Sequence, residues 1–289
     1  MVRSIPEKTL EHWSSMHLSY AFKAHLKLWW PAVGADIEVA SLPTSPSKRF
    51  WMEIKSTEWN QAGRVHQLPI RLSQLVNYAT ARKNPTGIPD FYAFPTPPWE
   101  GVIGGLPRPT WLAGQDPSDL GYQSKSDEQY FARWFYVVPG HALRVGLAPE
   151  IAAFQAGTGP NTLHVASIKA GVLTWTAPGL IRVPKLSWRS FWKKQRTCGD
   201  PVWNSQLIVP AFPSRRRTRS RQELRSQLRD YDPDTNANDS VEVFAPIGDD
   251  QYRRVTKQEL EAEGRSDARG APDEFSALST LDRAALHLG

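Results

Sequence analysis

Charged residues inside two strand-like segments constrain this sequence most. Residues 33–39 and 50–56 each alternate polar and apolar side chains, which is the period of a β-strand. Because side chains alternate between the two faces of a strand, Glu53 and Lys55 share one face and the apolar residues of that segment share the other. We therefore expect two neighbouring strands whose apolar faces join a core and whose charged faces lie together.

The first of these segments carries Asp36 on its charged face. If the apolar residues of both strands face the core, Asp36, Glu53 and Lys55 converge. Clustered carboxylates repel one another and resist burial unless a cation compensates them. Mg²⁺ takes oxygen ligands, and the carbonyl of Ile54 is a further candidate. A nearby lysine would contact the hydrolytic water or the scissile phosphate, so the pattern predicts a divalent-metal phosphodiesterase site.

Helix and strand patterns follow one another around these two segments. We expect a helix capped by Ser4 and running through about residue 28, a helix over residues 68–79 with Pro69 in its first turn, and strands over residues 90–94 and 130–138. Residues 95–121 are rich in Pro and Gly and predict a long loop. Residues 164–169 and 171–176 predict a hairpin that extends the same sheet.

These features resemble the PD-(D/E)XK nucleases, also called restriction-endonuclease-like. Asp36, the 53–55 triplet, Glu7 and Glu11 on the first helix, and Gln74 on the second carry the resemblance, which covers about the first third of the chain. It implies an α/β fold with an αβββαβ core, in which helices flank a mixed central sheet. In this chain a long Pro/Gly-rich insertion and a C-terminal extension would be added.

The resemblance also implies a role for each residue. Asp36 and Glu53 would bind Mg²⁺ or Mn²⁺, and Lys55 would orient the attacking water. Glu11 would support these ligands or bind a second metal, and Gln74 would position the site. Each of these roles is an expectation that belongs to the family.

Three points stay open at this stage. Glu7 is a rival of Glu11 for the carboxylate on the first helix. Ala35 stands where the family often has a proline. No third core strand is evident between Lys55 and the second helix, although residues 58–65 or 130–138 are candidates.

The charge is divided unequally along the chain. The net charge is +6, but residues 1–230 hold 29 Lys and Arg against 16 Asp and Glu, whereas residues 231–289 hold 6 against 13. A basic body is typical of proteins that bind polyanions, and it is also common on ordinary solvated surfaces. The acidic tail either keeps the protein in solution or occupies the nucleic-acid site as a mimic.

A run of arginines lies just after Pro213. It is predicted either to contact phosphates or to form a solvated linker, and its members are Arg215, Arg216, Arg217, Arg219 and Arg221. A basic helix is expected next, then a polar, flexible stretch over residues 230–272. The apolar stripe formed by Phe275, Leu278, Leu281, Ala285 and Leu288 predicts a short helix that docks on the body or on a partner.

Several site types are excluded by composition. The single cysteine, Cys198, cannot form a disulfide within the chain or a four-cysteine metal site. The histidines lack zinc-protease spacing, and no phosphate-binding loop of the G-x-x-x-x-G-K-[ST] type is present. No long apolar segment occurs, so we expect no membrane association and a cytoplasmic location.

The sequence therefore predicts a Mg²⁺-dependent endonuclease. DNA is favoured over RNA, and a role in prokaryotic antiviral defence or restriction is expected by analogy. A protein partner would supply recognition or ATPase activity, and homo-oligomers are also considered. We expect residues 1–212 to form the nuclease domain and residues 213–289 an extension. The alternatives are a non-catalytic nucleic-acid-binding or scaffold subunit with the same fold, and an RNA-directed nuclease.

Overall fold

The structure is a computed structural model of the chain. It describes residues 5–22, 28–29, 37–39, 47–80, 84–98, 100, 134–195, 203–210, 217–220, 222–224, 226, 241–247 and 251–268. Within these ranges, no helix is long and apolar enough to cross a membrane.

Helices and strands are mixed along the chain. The α-helices are α1 (Glu7–Phe22), α2 (Leu72–Asn77), α3 (Gly140–Gly146), α4 (Ala148–Gln155), α5 (Trp188–Gln195) and α6 (Lys257–Ala268), with a 3-10 helix at Pro178–Leu180. The strands up to residue 139 are β1 (Leu28–Trp29), β2 (Ile37–Val39), β3 (Ser47–Ile54), β4 (Glu58–Asn60), β5 (Val65–Arg71), β6 (Asp90–Pro95) and β7 (Phe135–Pro139). The later strands are β8 (Thr162–Lys169), β9 (Val172–Trp175), β10 (Leu186–Ser187), β11 (Gln206–Pro210), β12 (Thr218–Ser220), β13 (Val241–Pro246) and β14 (Gln251–Arg254).

The chain forms two compact units, and each is built from three separate segments. Unit 1 comprises Met1–Ala21, Glu53–Asn77 and Phe91–Phe191, and unit 2 comprises Phe22–Met52, Tyr78–Asp90 and Trp192–Gly289. The boundary expected between residues 212 and 213 therefore falls inside unit 2. The reason is that strands from both sides of this boundary, β11 and β13, are hydrogen-bonded neighbours.

The central sheet of this α/β protein is mixed. In unit 2 the amide of Trp51 donates to the carbonyl of Pro89, and in unit 1 the amide of Lys55 donates to the carbonyl of Ala93, both at 2.8 Å. These two bonds advance in the same direction along β3 and β6, so the two strands are parallel. The other strand neighbours of β3 and β6, namely β2, β11 and β7, are antiparallel.

Unit 1 contains a second sheet of four antiparallel strands in the order β4-β5-β8-β9. The β8–β9 hairpin is confirmed, and Ala170 and Gly171 at its turn have φ angles of 48° and 77°, which are the positive values that a type I′ turn requires. The prediction that this hairpin extends the central sheet is wrong, because β8 pairs with β5 instead.

The helix expected over residues 68–79 begins later than predicted. Leu68 and Pro69 belong to β5, and the pairing of β5 with β8 shifts register between them. Proline has no amide proton to donate, so a bulge is a position in a strand that tolerates it. The residues of β5 alternate between half-buried and buried, with His66, Leu68 and Ile70 inside, and only Leu72–Asn77 is helical.

The first helix is shorter than its sequence pattern indicated. Helix α1 ends at Phe22, and Leu28 lies in β1, where it pairs with Val39 of β2. Strand β6 lies where its aromatic pattern predicted it, and β3 overlaps the expected segment 50–56 but begins at Ser47 and ends at Ile54. Of the segment expected over residues 33–39, the structure describes β2. Of the strand expected over residues 130–138, the structure describes the part that belongs to β7.

The flexible stretch expected over residues 230–272 is largely ordered where it is described. Strands β13 and β14 pair with each other and bury Phe244 and Tyr252. Helix α6 begins with a capping box, in which Thr256 N–H donates to Glu259 Oε2 at 2.7 Å and Glu259 N–H donates to Thr256 Oγ1 at 3.3 Å. The stripe from Phe275 to Leu288 lies outside the described residues.

Candidate active site

The end of β3 carries buried charge in unit 1. Glu53 and Lys55 are 1% and 8% exposed, and Ile54 between them is fully buried. Both faces of the strand are therefore covered, whereas the sequence predicted a core on one face only. An ionised carboxylate at this depth is costly unless it is paired and hydrogen-bonded.

Glu53 receives two donors on a single carboxylate oxygen. The ammonium of Lys55 donates to Oε1, and so does the side-chain amide of Gln74, at 2.6 Å. Glu7 of α1 also pairs with Lys55, with its Oε1 3.6 Å from Lys55 Nζ. Residues from α1, β3 and α2 thus meet in one charged group, which we call the Glu53 group: Glu7, Glu53, Lys55 and Gln74.

Helix α2 holds Gln74 in place through contacts that are remote in sequence. Leu72 N–H donates to the carbonyl of Asn161 at 2.7 Å, and Ser73 N–H donates to its side-chain oxygen at 2.9 Å. Asn161 therefore caps the start of the helix. At the other end, the guanidinium of Arg144 donates to the carbonyl of Leu75 at 3.2 Å. Sequence reasoning missed both residues, because no local pattern marks a cap that comes from another part of the chain.

Helix α1 is anchored beside this group by His17. The indole N–H of Trp188 donates to His17 Nδ1 at 2.9 Å. Burial, with a smaller contribution from the Arg189 charge, lowers the pKa of His17 to about 4. His17 is therefore neutral near pH 7 and accepts this hydrogen bond throughout the physiological range.

The two glutamates of α1 differ in their surroundings. Glu7, the rival in the sequence analysis, is the one that contacts Lys55. Glu11 pairs with Lys8 at 2.7 Å through Oε2, and it is 6% exposed. Its other oxygen, Oε1, is buried and has no hydrogen-bond partner among the described residues. An orphaned carboxylate oxygen of this kind is a suitable ligand for a hard cation.

Asp36 lies outside the described residues. Its sequence neighbour Ile37 begins β2, and Ile37 is the Cα partner of Met52, the residue before Glu53. Among the described residues, no group of three or more His, Cys, Asp or Glu side chains could hold a metal ion. The carboxylate oxygens of Glu53 and Glu11 nevertheless have the chemistry that Mg²⁺ or Mn²⁺ prefers.

The predicted arginine arm is only partly described, and its two described members differ. Arg217 is exposed. Arg219 is 2% exposed, and its guanidinium carbon lies 5.3 Å from the centre of the Phe244 ring. This buried position in unit 2 does not suit an exposed phosphate contact. Arg215, Arg216 and Arg221 lie outside the described residues.

Comparison with known proteins gives no relative for this arrangement: no family model, curated protein or solved structure matches the chain.

Proposed function

We propose that this protein is a metal-dependent nuclease that hydrolyses phosphodiester bonds, with DNA as its favoured substrate. The observation that carries the proposal is the Glu53 group. A carboxylate at the end of β3 and an ammonium two residues later are both buried, and an amide from α2 donates to the same carboxylate oxygen. These are the residue types, in the order along the chain, that the PD-(D/E)XK resemblance implies.

The order of elements supports the same proposal. Helix α1 precedes β1, β2 and β3, and helix α2 precedes β6, which is parallel to β3. This order corresponds to the αβββαβ core of the family if β4 and β5 are an insertion. The third core strand, for which no pattern was evident between Lys55 and the second helix, would then be β1. This strand comes before the Asp36 segment and not after Lys55.

Each side chain has a distinct task in the proposed reaction. Glu53 would hold the metal together with Asp36 and the carbonyl of Ile54, and the metal would supply Lewis acidity at the scissile phosphate. Lys55 would orient the attacking water and offset the charge that develops on phosphate oxygens. Gln74 fixes the Glu53 carboxylate in one position. The assignment of Asp36 rests on the sequence resemblance alone.

A non-catalytic binding or scaffold subunit is the second candidate, and one observation favours it. Lys55 and Gln74 already satisfy Glu53 Oε1, so the buried carboxylate is compensated without a metal ion. Such a group can simply stabilise the fold. The role in prokaryotic defence, the protein partner and the RNA substrate stay predictions of the sequence analysis.

Cleavage assays separate these candidates. Purified protein is incubated with plasmid DNA and with RNA in Mg²⁺, Mn²⁺ or EDTA, beside Asp36→Ala and Lys55→Ala variants. We expect metal-dependent nicking of DNA by the wild type and its loss in both variants. Cleavage that survives both substitutions would remove the site assignment, and the absence of any metal-dependent cleavage would favour the scaffold.

A further inference from the structure

One long part of the chain carries positive charge and no negative charge. Residues 151–199 contain seven Lys and Arg and no Asp or Glu. The arginine run after Pro213, which sequence reasoning selected, is shorter, and one of its members is buried. The acid-free stretch instead places exposed cations on unit 1 itself.

Three of these cations lie between the end of the 3-10 helix and the first turn of α5. Arg182, Lys185 and Arg189 are exposed, and we call them the 182–189 surface. The buried side chains of Leu180, Val183 and Trp188 come before and between them, at 0%, 9% and 0% exposure, and fix the segment to unit 1. The charges are therefore held outward by an anchored backbone.

Two members of the 182–189 surface differ from exposed cations that have carboxylate partners. Arg64 pairs with Glu100 at 2.9 Å, and Lys257 pairs with Glu261 at 3.8 Å. Arg182 and Lys185 make no ion pair with a carboxylate in the described part of the chain, and Lys185 Nζ lies 6.0 Å from the centre of the Tyr136 ring. Within the described residues, their charges are therefore not neutralised by a carboxylate.

We propose that the 182–189 surface binds the phosphate backbone of duplex DNA without reading its sequence. An extended chain spans at most about 3.5 Å per residue, so these seven steps cover no more than roughly 25 Å. Each DNA strand carries a phosphate about every 3.4 Å along the helix axis, so several phosphates fall within that reach. Because phosphates are the same at every base pair, such contacts give affinity and orientation but no specificity. This inference rests on the proposed nuclease function and adds the place where the DNA substrate would be held.

Binding is measured without cleavage, by fluorescence anisotropy of labelled duplexes of two unrelated sequences with the full chain in EDTA. The test variant is Arg182→Ala/Lys185→Ala. The matched control, Arg64→Ala/Lys257→Ala, removes the same charge from cations that already have carboxylate partners. We expect the test variant to bind both duplexes about tenfold more weakly than the wild type. The magnitude of the slope of log K for binding against log salt concentration should fall by about 0.9 for each phosphate that the protein no longer neutralises. The control should change Kd less than twofold.

Equal weakening in both double variants would mean that net charge alone matters and would overturn the proposal. Unchanged binding in the test variant would also overturn it. So would a wild type that binds no DNA. The outcome is separable from that of the nuclease proposal. A chain that loses binding as expected but never cleaves would keep this surface and remove the catalytic claim. If the wild type cleaves DNA but the test variant binds DNA with unchanged Kd, the catalytic proposal would stand and this surface would be ruled out as the binding site.

Discussion

At the scale of single residues, the amide of Gln74 matters because its partner is a buried carboxylate. Gln74→Leu removes the 2.6 Å bond to Glu53 while keeping a good helix former. Hydrogen bonds to charged groups contribute about 1.5–3 kcal/mol, so we expect the free energy of unfolding to fall by roughly that amount. Chemical denaturation monitored by tryptophan fluorescence measures it.

Gln67→Leu is the matched control for this substitution. Gln67 accepts a hydrogen bond from Asn60 at 3.1 Å, so its partner is neutral. Its loss should cost about 1 kcal/mol or less. If the two variants are equally stable, the Gln74 amide does not support a buried charge.

His17 should make the protein less stable in mild acid. Its pKa is about 4 in the folded chain and about 6.5 when unfolded, so the unfolded state binds more protons between these values. Above pH 6.5 the imidazole is neutral in both states and the free energy of unfolding is at its full value. As the pH falls toward 4, protonation of His17 in the unfolded state lowers the free energy of unfolding. Between pH 7 and pH 5 we expect a decrease of about 2 kcal/mol.

His17→Asn provides the comparison for this pH effect. Asparagine offers an oxygen to the Trp188 indole N–H but does not titrate. Its free energy of unfolding should depend less on pH between 7 and 5 than that of the wild type. The same pH dependence in both proteins would assign the acid sensitivity to other groups.

At the scale of elements, the strand patterns located their elements more accurately than the helix patterns did. The alternation around Glu53 predicted a strand over residues 50–56, which overlaps β3 (Ser47–Ile54), and it put Glu53 and Lys55 together, where they form an ion pair. The start of α2 could not be predicted, since it depends on a cap from Asn161 and on a bulge at Pro69. The cap comes from the residue just before β8 and the bulge from pairing with β8, both about 90 residues away, and neither leaves a local signal.

Helix α3 packs against the 3-10 helix through two glycines. A Cβ added at Gly146 would lie 2.7 Å from the carbonyl oxygen of Gly179, and one at Gly179 would meet the carbonyl oxygen of Gly146. Gly179→Ala should therefore force the elements apart and cost about 1–3 kcal/mol, measured by thermal unfolding. Gly63→Ala, where the nearest atom is 3.4 Å away, should be nearly neutral, and equal losses would contradict the close approach.

At the scale of the whole molecule, the fold class was predicted but the division of the chain was not. The α/β class and its mixed central sheet were implied by the resemblance to the PD-(D/E)XK nucleases, and the helices and strands of the structure confirm this coarse description. The two interleaved units could not be predicted, because β11 and β13 join segments on either side of an arginine-rich run that resembles a linker. Residues 231–289 are acidic overall, and this composition predicted a flexible segment. It gave no sign of the buried apolar residues that hold β13 and β14 together.

In the proposed function, Lys55 acts in phosphodiester cleavage and is not only a structural cation. Strand β3 and the residue just after it supply two buried lysines: Lys55 beside Glu53, and Lys48, whose ammonium donates to the carbonyl of Gln195 at 2.7 Å. Both are replaced by methionine, which keeps the length of the side chain. Single-turnover cleavage of duplex DNA in Mg²⁺ then compares the two variants at equal folded fraction.

We expect Lys55→Met to lower the cleavage rate at least about a hundredfold. Lys48→Met should remain within a few-fold of the wild type once its loss of stability is taken into account. Equal rates in the two variants, whether both near wild type or both abolished, would contradict a catalytic role for Lys55.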